Sequence, residues 1–335
     1  MPMKKFMNDP ANLTAEMLEG LALAYSDKVK IVNERIVVRT QPKAEDKVAL
    51  ICFGGTGHEP AMHGFVGEGM ADAAVAGDVF AAPGGPKVFE AIDMFKRPAG
   101  VILLTLNHNG DRMAARKALR LAEKAGIENV KEIIVQEDIA PGIDADPEDR
   151  RGLGGCIPLM KVMGAACEAG KSIDEVLAIG EAFHAQLATL SVALKVATHP
   201  QNGAEIGALA DDEMEIGMGQ HGEGGGGVMK IQTADETAKI MVERLVSATK
   251  LESGDRALLI INGSGATTAM EMLICYRAAA KVLMGMGISL VNGLATELLT
   301  VQEMAGFQMT LAKVTPETEA LLAAKANAPY WVCNG

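Results

Sequence analysis

Apolar and polar residues follow two periods along this chain. Unbroken apolar runs at Lys47-Val-Ala-Leu-Ile-Cys-Phe53, Gly100-Val-Ile-Leu-Leu-Thr-Leu106 and Glu132-Ile-Ile-Val135 predict buried strands. Between them, Pro86 to Phe95 and Arg112 to Ala125 carry apolar residues at helical intervals, and Gly126 stands where a helix C-cap belongs. A helix-rich stretch runs from Cys156 to about Ala188. The alternation then resumes with a strand at Ser191–Val196, a helix from Ala234 to Thr249, a strand at Arg256–Ile261 and a helix from Thr267 to Met284. Strands near Ile288 and at Phe307–Leu311 close the pattern. Strand–helix–strand alternation implies sheets covered by helices. The expected fold class is therefore α/β: two α/β domains, at residues 1–187 and 188–335, with largely parallel or mixed sheets flanked by helices.

Composition narrows the function classes. Hydrophobic residues at 49% and charged residues at 22% describe a globular protein with a sizeable core. Aromatics at 4% beside 37 glycines point to an aliphatic core under many tight turns. The formal charge of -12 argues against nucleic acid and against an anionic membrane surface as partners. Lys4 and Lys5 precede no apolar run, so no signal peptide is expected, and no stretch approaches the roughly 20 apolar residues of a membrane span. Cys52, Cys156, Cys167, Cys275 and Cys333 are scattered without a CxxC pair, which indicates neither a disulfide framework nor a zinc site. These features together predict a cytoplasmic enzyme or enzyme subunit.

Two glycine-rich segments imitate nucleotide loops and fail on spacing or context. Gly164 to Ser172 ends in Gly170-Lys-Ser172, but five residues separate its glycines where a P-loop has four. Ser172-Ile-Asp-Glu175 has instead the pattern of a capping box. Gly217-Met-Gly-Gln-His-Gly222 fits G-x-G-x-x-G, yet acidic residues precede it and further glycines follow, so it does not open a helix as a dinucleotide loop must. Phe53-Gly-Gly-Thr-Gly-His-Glu-Pro60 is more informative, because it follows a strand, where α/β sheets present ligands. Gly55 and Gly57 let backbone amides approach a ligand closely, while Thr56 and His58 add a hydroxyl and an imidazole. The plain alternative is a glycine turn with an exposed histidine. His63 is near enough in sequence to line the same mouth; His184 and His199 read as surface or packing residues. His108 follows the next strand, and Asp111 sits at the start of the following helix, either as its N-cap or as a functional carboxylate, roles that are compatible.

These segments resemble, in order and over essentially the whole chain, the K subunit of dihydroxyacetone kinases. Gly54-Gly-Thr-Gly-His-Glu-Pro60 with Gly64-Phe-Val-Gly-Glu-Gly-Met70 is similar to that family's first motif, and Asn109-Gly-Asp111 to its second active-site loop. Arg150-Arg-Gly152, Leu209 to Glu215, Gly217 to Glu223, Asn262-Gly-Ser-Gly-Ala-Thr267 and Ala305 to Lys313 follow. The resemblance implies a homodimeric two-domain subunit whose substrate carbonyl is captured as a covalent hemiaminal on a histidine, here His221. It implies His58 and Asp111 as the acid–base pair, and Gly55, Thr56, Gly57, His58, Leu106 and Asp111 around the substrate. Glu215 and Glu223 are candidates to orient the His221 ring. The resemblance implies no metal or cofactor in this chain. A separate helical kinase subunit would carry the nucleotide as Mg-ATP or Mg-ADP, and the ligand would be dihydroxyacetone or another three- to four-carbon ketose.

The departures are local. Phe53 stands where the family has a glycine, Leu106 where it has a lysine, and Ala81-Ala82 where it has hydroxyl side chains. Lost hydrogen bonds to a polyhydroxy ligand, worth about 0.5–1.5 kcal/mol each, imply shifted or relaxed substrate choice. Two further readings follow: a ketose sensor or co-activator that keeps His221 without catalysis, and a carbonyl isomerase that uses His58 and Asp111.

Overall fold

The computed structural model describes residues 4–225 and 227–335, so the first three residues of the amino-terminal stretch and Gly226 lie outside it. The chain divides into two compact units. Unit 1 is built from Met1–Val135, Cys156–Glu181 and Ala320–Gly335, and unit 2 from Gln136–Gly155 and Ala182–Glu319. The sequence division at residue 187 has a single crossing; the chain passes between the compact units after residues 135, 155, 181 and 319.

Unit 1 carries a six-stranded sheet formed by β1 (Val29–Val32), β2 (Ile36–Arg39), β3 (Ala49–Thr56), β4 (Ala73–Val79), β5 (Val101–Leu106) and β6 (Val130–Val135), in the order β1-β2-β4-β3-β5-β6. β3 pairs in parallel with β4 and β5, and β5 with β6, while β1 and β2 run antiparallel at one edge. Helix α1 (Leu13–Ala24) precedes the sheet, and α2 (Gly85–Phe95) and α3 (Asn109–Lys124) are the crossovers. α2 and α3 approach closely because Gly85 lies against the Lys117 stem, where a Cβ would sit 2.5 Å from the Lys117 Cβ. Val88, Ala91 and Ile92 from α2 and Ala114, Ala115 and Ala118 from α3 cover Ile51, Phe53 and Leu103 of the sheet. Phe53, which stands where the family has a glycine, is fully buried in this cluster.

Asp72, completely buried at the start of β4, gathers the strand ends. Its carboxylate accepts hydrogen bonds from Lys43 Nζ at 2.8 Å, Arg39 Nη1 at 3.1 Å and the Leu50 amide at 2.8 Å. A buried carboxylate survives only with such partners. The helix-rich middle is α4 (Cys156–Glu168) and α5 (Ile173–His184), separated at Gly170, which takes φ +76°. Ser172 and Glu175 form the expected capping box: each backbone amide is bonded by the other residue's side chain. This local chemistry accounts for the Gly-Lys-Ser sequence without a phosphate.

Unit 2 holds a second sheet of seven strands: β7 (Leu187–Lys195), β10 (Glu213–Ile216), β11 (Val228–Lys230), β12 (Arg256–Gly263), β13 (Ser289–Leu290), β14 (Leu294–Thr296) and β15 (Ala305–Lys313). The short pair β8 (Ala197–Thr198) and β9 (Glu205–Ile206) stands apart. β15 enters between β7 and β12 and is antiparallel to both; only β13 and β14 run parallel to β12. Helices α6 (Ala234–Thr249) and α7 (Ala269–Gly285) open with capping boxes, Thr233 with Glu236 and Thr268 with Glu271. Their apolar faces pack on Leu190, Leu259, Ile261 and Met309. Helix α8 (Pro316–Ala323) leads back to unit 1, where β16 (Ala326–Ala328) and β17 (Trp331–Cys333) form a hairpin. The Asn327 amide donates to the Glu68 carbonyl at 2.8 Å. Cys52, Cys156, Cys167 and Cys275 are buried, and none of them is in a disulfide among the described residues. Among the described residues no helix is long and apolar enough to cross a membrane.

Glu137 ties the first segment of unit 2 to its sheet. Its Oε1 accepts from the Leu153 amide at 3.0 Å and the Gly155 amide at 2.8 Å, and its backbone carbonyl accepts from the Thr189 amide at 2.8 Å. Burial, only partly opposed by these amides, pushes its carboxyl up to about 7. The folded state therefore holds a proton that the unfolded chain has released, and this contribution is complete below about pH 4.5 and lost as pH rises through about 7. At about 1.4 kcal/mol per pH unit, the loss is about 3 kcal/mol at most. Glu137→Gln, which keeps the acceptor without the charge, should flatten that fall. Denaturant titrations from pH 4.5 to 7.5 check it, and an equal fall in both proteins would refute the assignment.

Candidate active site

The carboxyl ends of β4, β3 and β5 are neighbours in the unit 1 sheet, and their loops converge because side chains are missing. The glycine motif is not only a loop: Gly54, Gly55 and Thr56 continue β3, with a register shift between Gly54 and Thr56. A Cβ on Gly55 would lie 2.8 Å from the Ala81 nitrogen, and one on Gly57 would lie 2.8 Å from the Phe80 ring. Gly57 also takes φ +96°, a conformation that only glycine adopts cheaply. The turn is held by Glu59, whose carboxylate accepts the Gly57 amide at 3.0 Å. Ala82 in turn lies against the start of α3, where a Cβ on Gly110 would be 3.3 Å from its Cβ.

His58 is buried at 5% exposure, and its ring lies 5.0 Å from that of Phe80. The exposed-histidine alternative therefore fails. Thr56 turns its hydroxyl to Thr14 of α1 at 2.9 Å. Leu106, the last residue of β5, is buried at 3% exposure. Helix α3 begins at Asn109, earlier than the apolar pattern implied, with His108 as N-cap and Asp111 in the first turn. Asp111 is thus not the cap; it is a carboxylate, 8% exposed, beside the positive end of the helix. His58 and Asp111 occupy this one loop cluster. His63 does not line it in the way expected: it is buried with Tyr25, Pro60 and Tyr330 around a different cavity. His184, a packing residue, accepts the Gln136 amide on Nε2 at 2.9 Å, and burial pushes it down to about 4.

His221 belongs to unit 2, in the loop that follows β10. Gly217 and Gly222 take positive φ there, and the chain runs on through Gly225 without opening a helix, which removes the dinucleotide reading. Glu223 sits under the histidine: it accepts the His221 amide on Oε2 at 2.9 Å and meets Nδ1 with Oε1 at 3.1 Å. Burial works against its charge, but the His221 side chain and the backbone amides prevail and hold the carboxyl well below the usual range. An ionised carboxylate at Nδ1 selects the tautomer protonated there and leaves the ring lone pair on Nε2. Glu215, the other expected neighbour, holds the Gly225 amide at 3.2 Å.

Arg151 was not singled out within its Arg-Arg-Gly segment, and it proves to be the clasp of this loop. It donates from Nε to Asp138 at 2.6 Å, from Nη2 to the Gly217 carbonyl at 2.7 Å and from Nη1 to the Glu223 carbonyl at 3.1 Å. Ser191 of β7 adds a bond to the Met218 carbonyl at 2.6 Å. No spacing rule links residue 151 to a loop some seventy residues on, so only the fold reveals this contact.

Glycine-built loops at strand ends, one of them holding His221 against Glu223, define the class: a two-unit α/β protein with histidine-bearing glycine loops. A Dak1 domain matches residues 19–330. The "PTS-dependent dihydroxyacetone kinase 1, dihydroxyacetone-binding subunit DhaK" of Listeria innocua is 38% identical, over 94% of this chain and 95% of its own length. Two solved structures superpose closely. A dihydroxyacetone kinase operon co-activator, Dha-DhaQ, has a TM-score of 0.90 at 30% identity, over 96% of this chain and 99% of its own. The dihydroxyacetone kinase of C. freundii has a TM-score of 0.89 at 31% identity, over 98% of this chain and 60% of its own. The chain belongs to the Dak1 family, as a divergent relative of the DhaK subunits.

If Arg151 holds the loop, Arg151→Met should free it without unfolding the unit. Each charge-assisted bond is worth about 1.5–3 kcal/mol. Hydrogen exchange across Gly217–Glu223 should therefore quicken by roughly tenfold or more, while exchange in β12 stays slow.

Proposed function

We propose that this chain is the substrate-binding subunit of a dihydroxyacetone-type kinase, holding a three- to four-carbon ketose on His221 for phosphoryl transfer from a separate nucleotide-binding subunit. The observation that carries this reading is the His221–Glu223 pair. The Nε2 lone pair attacks the carbonyl carbon, and the carbonyl π electrons pass to oxygen, which takes up a proton. The ring gains positive charge, which the Glu223 carboxylate stabilises through Nδ1–H, and loss of that proton leaves a neutral hemiaminal. Only a carbonyl compound can be held in this way, so polyols are rejected. His58 and Asp111 are assigned the proton transfers, one to the carbonyl oxygen and the other from the hydroxyl that attacks phosphorus. The named relatives, which include a dihydroxyacetone-binding subunit and a dihydroxyacetone kinase, support the substrate class.

Carbon-13 NMR of carbonyl-labelled dihydroxyacetone tests the capture. The bound signal should move from the ketone to the tetrahedral region, vanish in His221→Ala, and weaken in occupancy by about ten- to a hundredfold in Glu223→Gln, the loss of one charge-assisted hydrogen bond. A tetrahedral signal that persists in His221→Ala would exclude His221.

The close likeness to an operon co-activator favours a second reading, in which the same capture serves sensing. The kinase reading expects no ATP turnover by the purified chain alone and ketose phosphorylation once a helical nucleotide-binding kinase subunit is added, lost in Asp111→Asn with the adduct retained. Ketose-dependent association with that subunit without turnover would favour sensing. Turnover by the isolated chain would refute both.

A further inference from the structure

The segment that carries His58 on one side of the Gly57 turn forms, a few residues on, the wall of a second cavity. This cavity, about 210 Å³, lies between α1 at Gly20, the rings of Tyr25 and Tyr330, and the residues Glu59, Pro60 and His63. The two tyrosine rings stand 5.6 Å apart at 56° and make an aromatic corner. His63 is 1% exposed, and neither ring nitrogen has a hydrogen-bond partner among the described residues. Burial pushes its imidazole down to about 4, so it is neutral at physiological pH. A neutral imidazole carries one donor and one acceptor, and a buried pair left unmade is uncommon in folded proteins. The rest of the lining is mainly apolar. An engineered cavity of about 150 Å³ accepts benzene, so this one has room for a substituted six-membered ring.

We propose that this cavity binds a small uncharged aromatic alcohol, its ring against Tyr25 and Tyr330 and its hydroxyl bonded to His63. A hydroxyl can accept from the His63 N–H or donate to its bare nitrogen, and so gives one of the two ring nitrogens the partner it lacks. A charged ligand is disfavoured, since no described side chain of fixed opposite charge lines the cavity apart from Glu59, whose carboxyl is already bonded to the Gly57 amide and pushed up by burial. That same bond links the cavity wall to the turn bearing His58, so an occupant steadies that turn. The site rests on its own residues and is independent of the ketose reading.

Calorimetry of the full chain with phenol, and with toluene as the ring without a hydroxyl, tests the proposal. Phenol should bind at least tenfold more tightly than toluene. His63→Phe, close to isosteric, should erase that preference while toluene still binds. Gly20→Leu should block both, because a Cβ there meets nothing within 4 Å and its side chain has the cavity to fill. Leucine favours a helix more than glycine does, so this variant should fold, and its melting curve verifies that. Equal affinity for phenol and toluene, or unchanged phenol binding in Gly20→Leu, would overturn the proposal.

Discussion

The unit 1 site exists because backbone meets backbone where a methyl group cannot fit. Gly55 against Ala81 and Gly57 against Phe80 bring the ends of β3 and β4 closer than any side chain allows. The candidate groups there are positioned by this approach. It sets the burial of His58 under Phe80, and it brings the segment through Ala82 against the first turn of α3, which presents Asp111. An alanine at either glycine would push the strands apart and misplace several groups together. Steric exclusion acts here together with the bond from the Gly57 amide to the Glu59 carboxylate.

The two units solve the same problem by different means. In unit 1 the His58 ring is buried against Phe80. In unit 2 the loop has few large side chains, and a single guanidinium fixes it by gathering the carbonyls of Gly217 and Glu223 against Asp138. A clasp of charge-assisted bonds holds the loop while leaving the His221 ring 30% exposed.

The sequence disclosed the elements whose signal is local. The buried runs at Lys47–Phe53 and Gly100–Leu106, the helices α2, α3, α6 and α7, and the Ser172–Glu175 box all follow from period or capping chemistry within a few residues. Strands β1, β2, β4 and β10 were not visible, because Ala-Ala-Val-Ala-Gly or four-residue runs have no pattern apart from their neighbours. Among the candidate site residues, the glycine motif, His58, Asp111 and His221 were singled out by ordered motifs, and the structure places them at or beyond strand ends. The clasp by Arg151, the burial of Phe53 in the core and the separate setting of His63 are products of tertiary contact. The same holds for the antiparallel insertion of β15 between β7 and β12, where two long apolar strands read alike in either direction.

The interleaving of the units bears on how the protein is made. Gly67 and Gly69 of unit 1 lie directly against Asn327 and Lys325, and Tyr330 donates its amide to the Gly64 carbonyl. During synthesis from the amino terminus, the last contribution to unit 2 leaves the ribosome at Glu319, and that to unit 1 only with the residues beyond it. The unit begun first is therefore the one completed last. Until then its glycine-rich turn from Gly64 to Met70 has no hairpin to rest on.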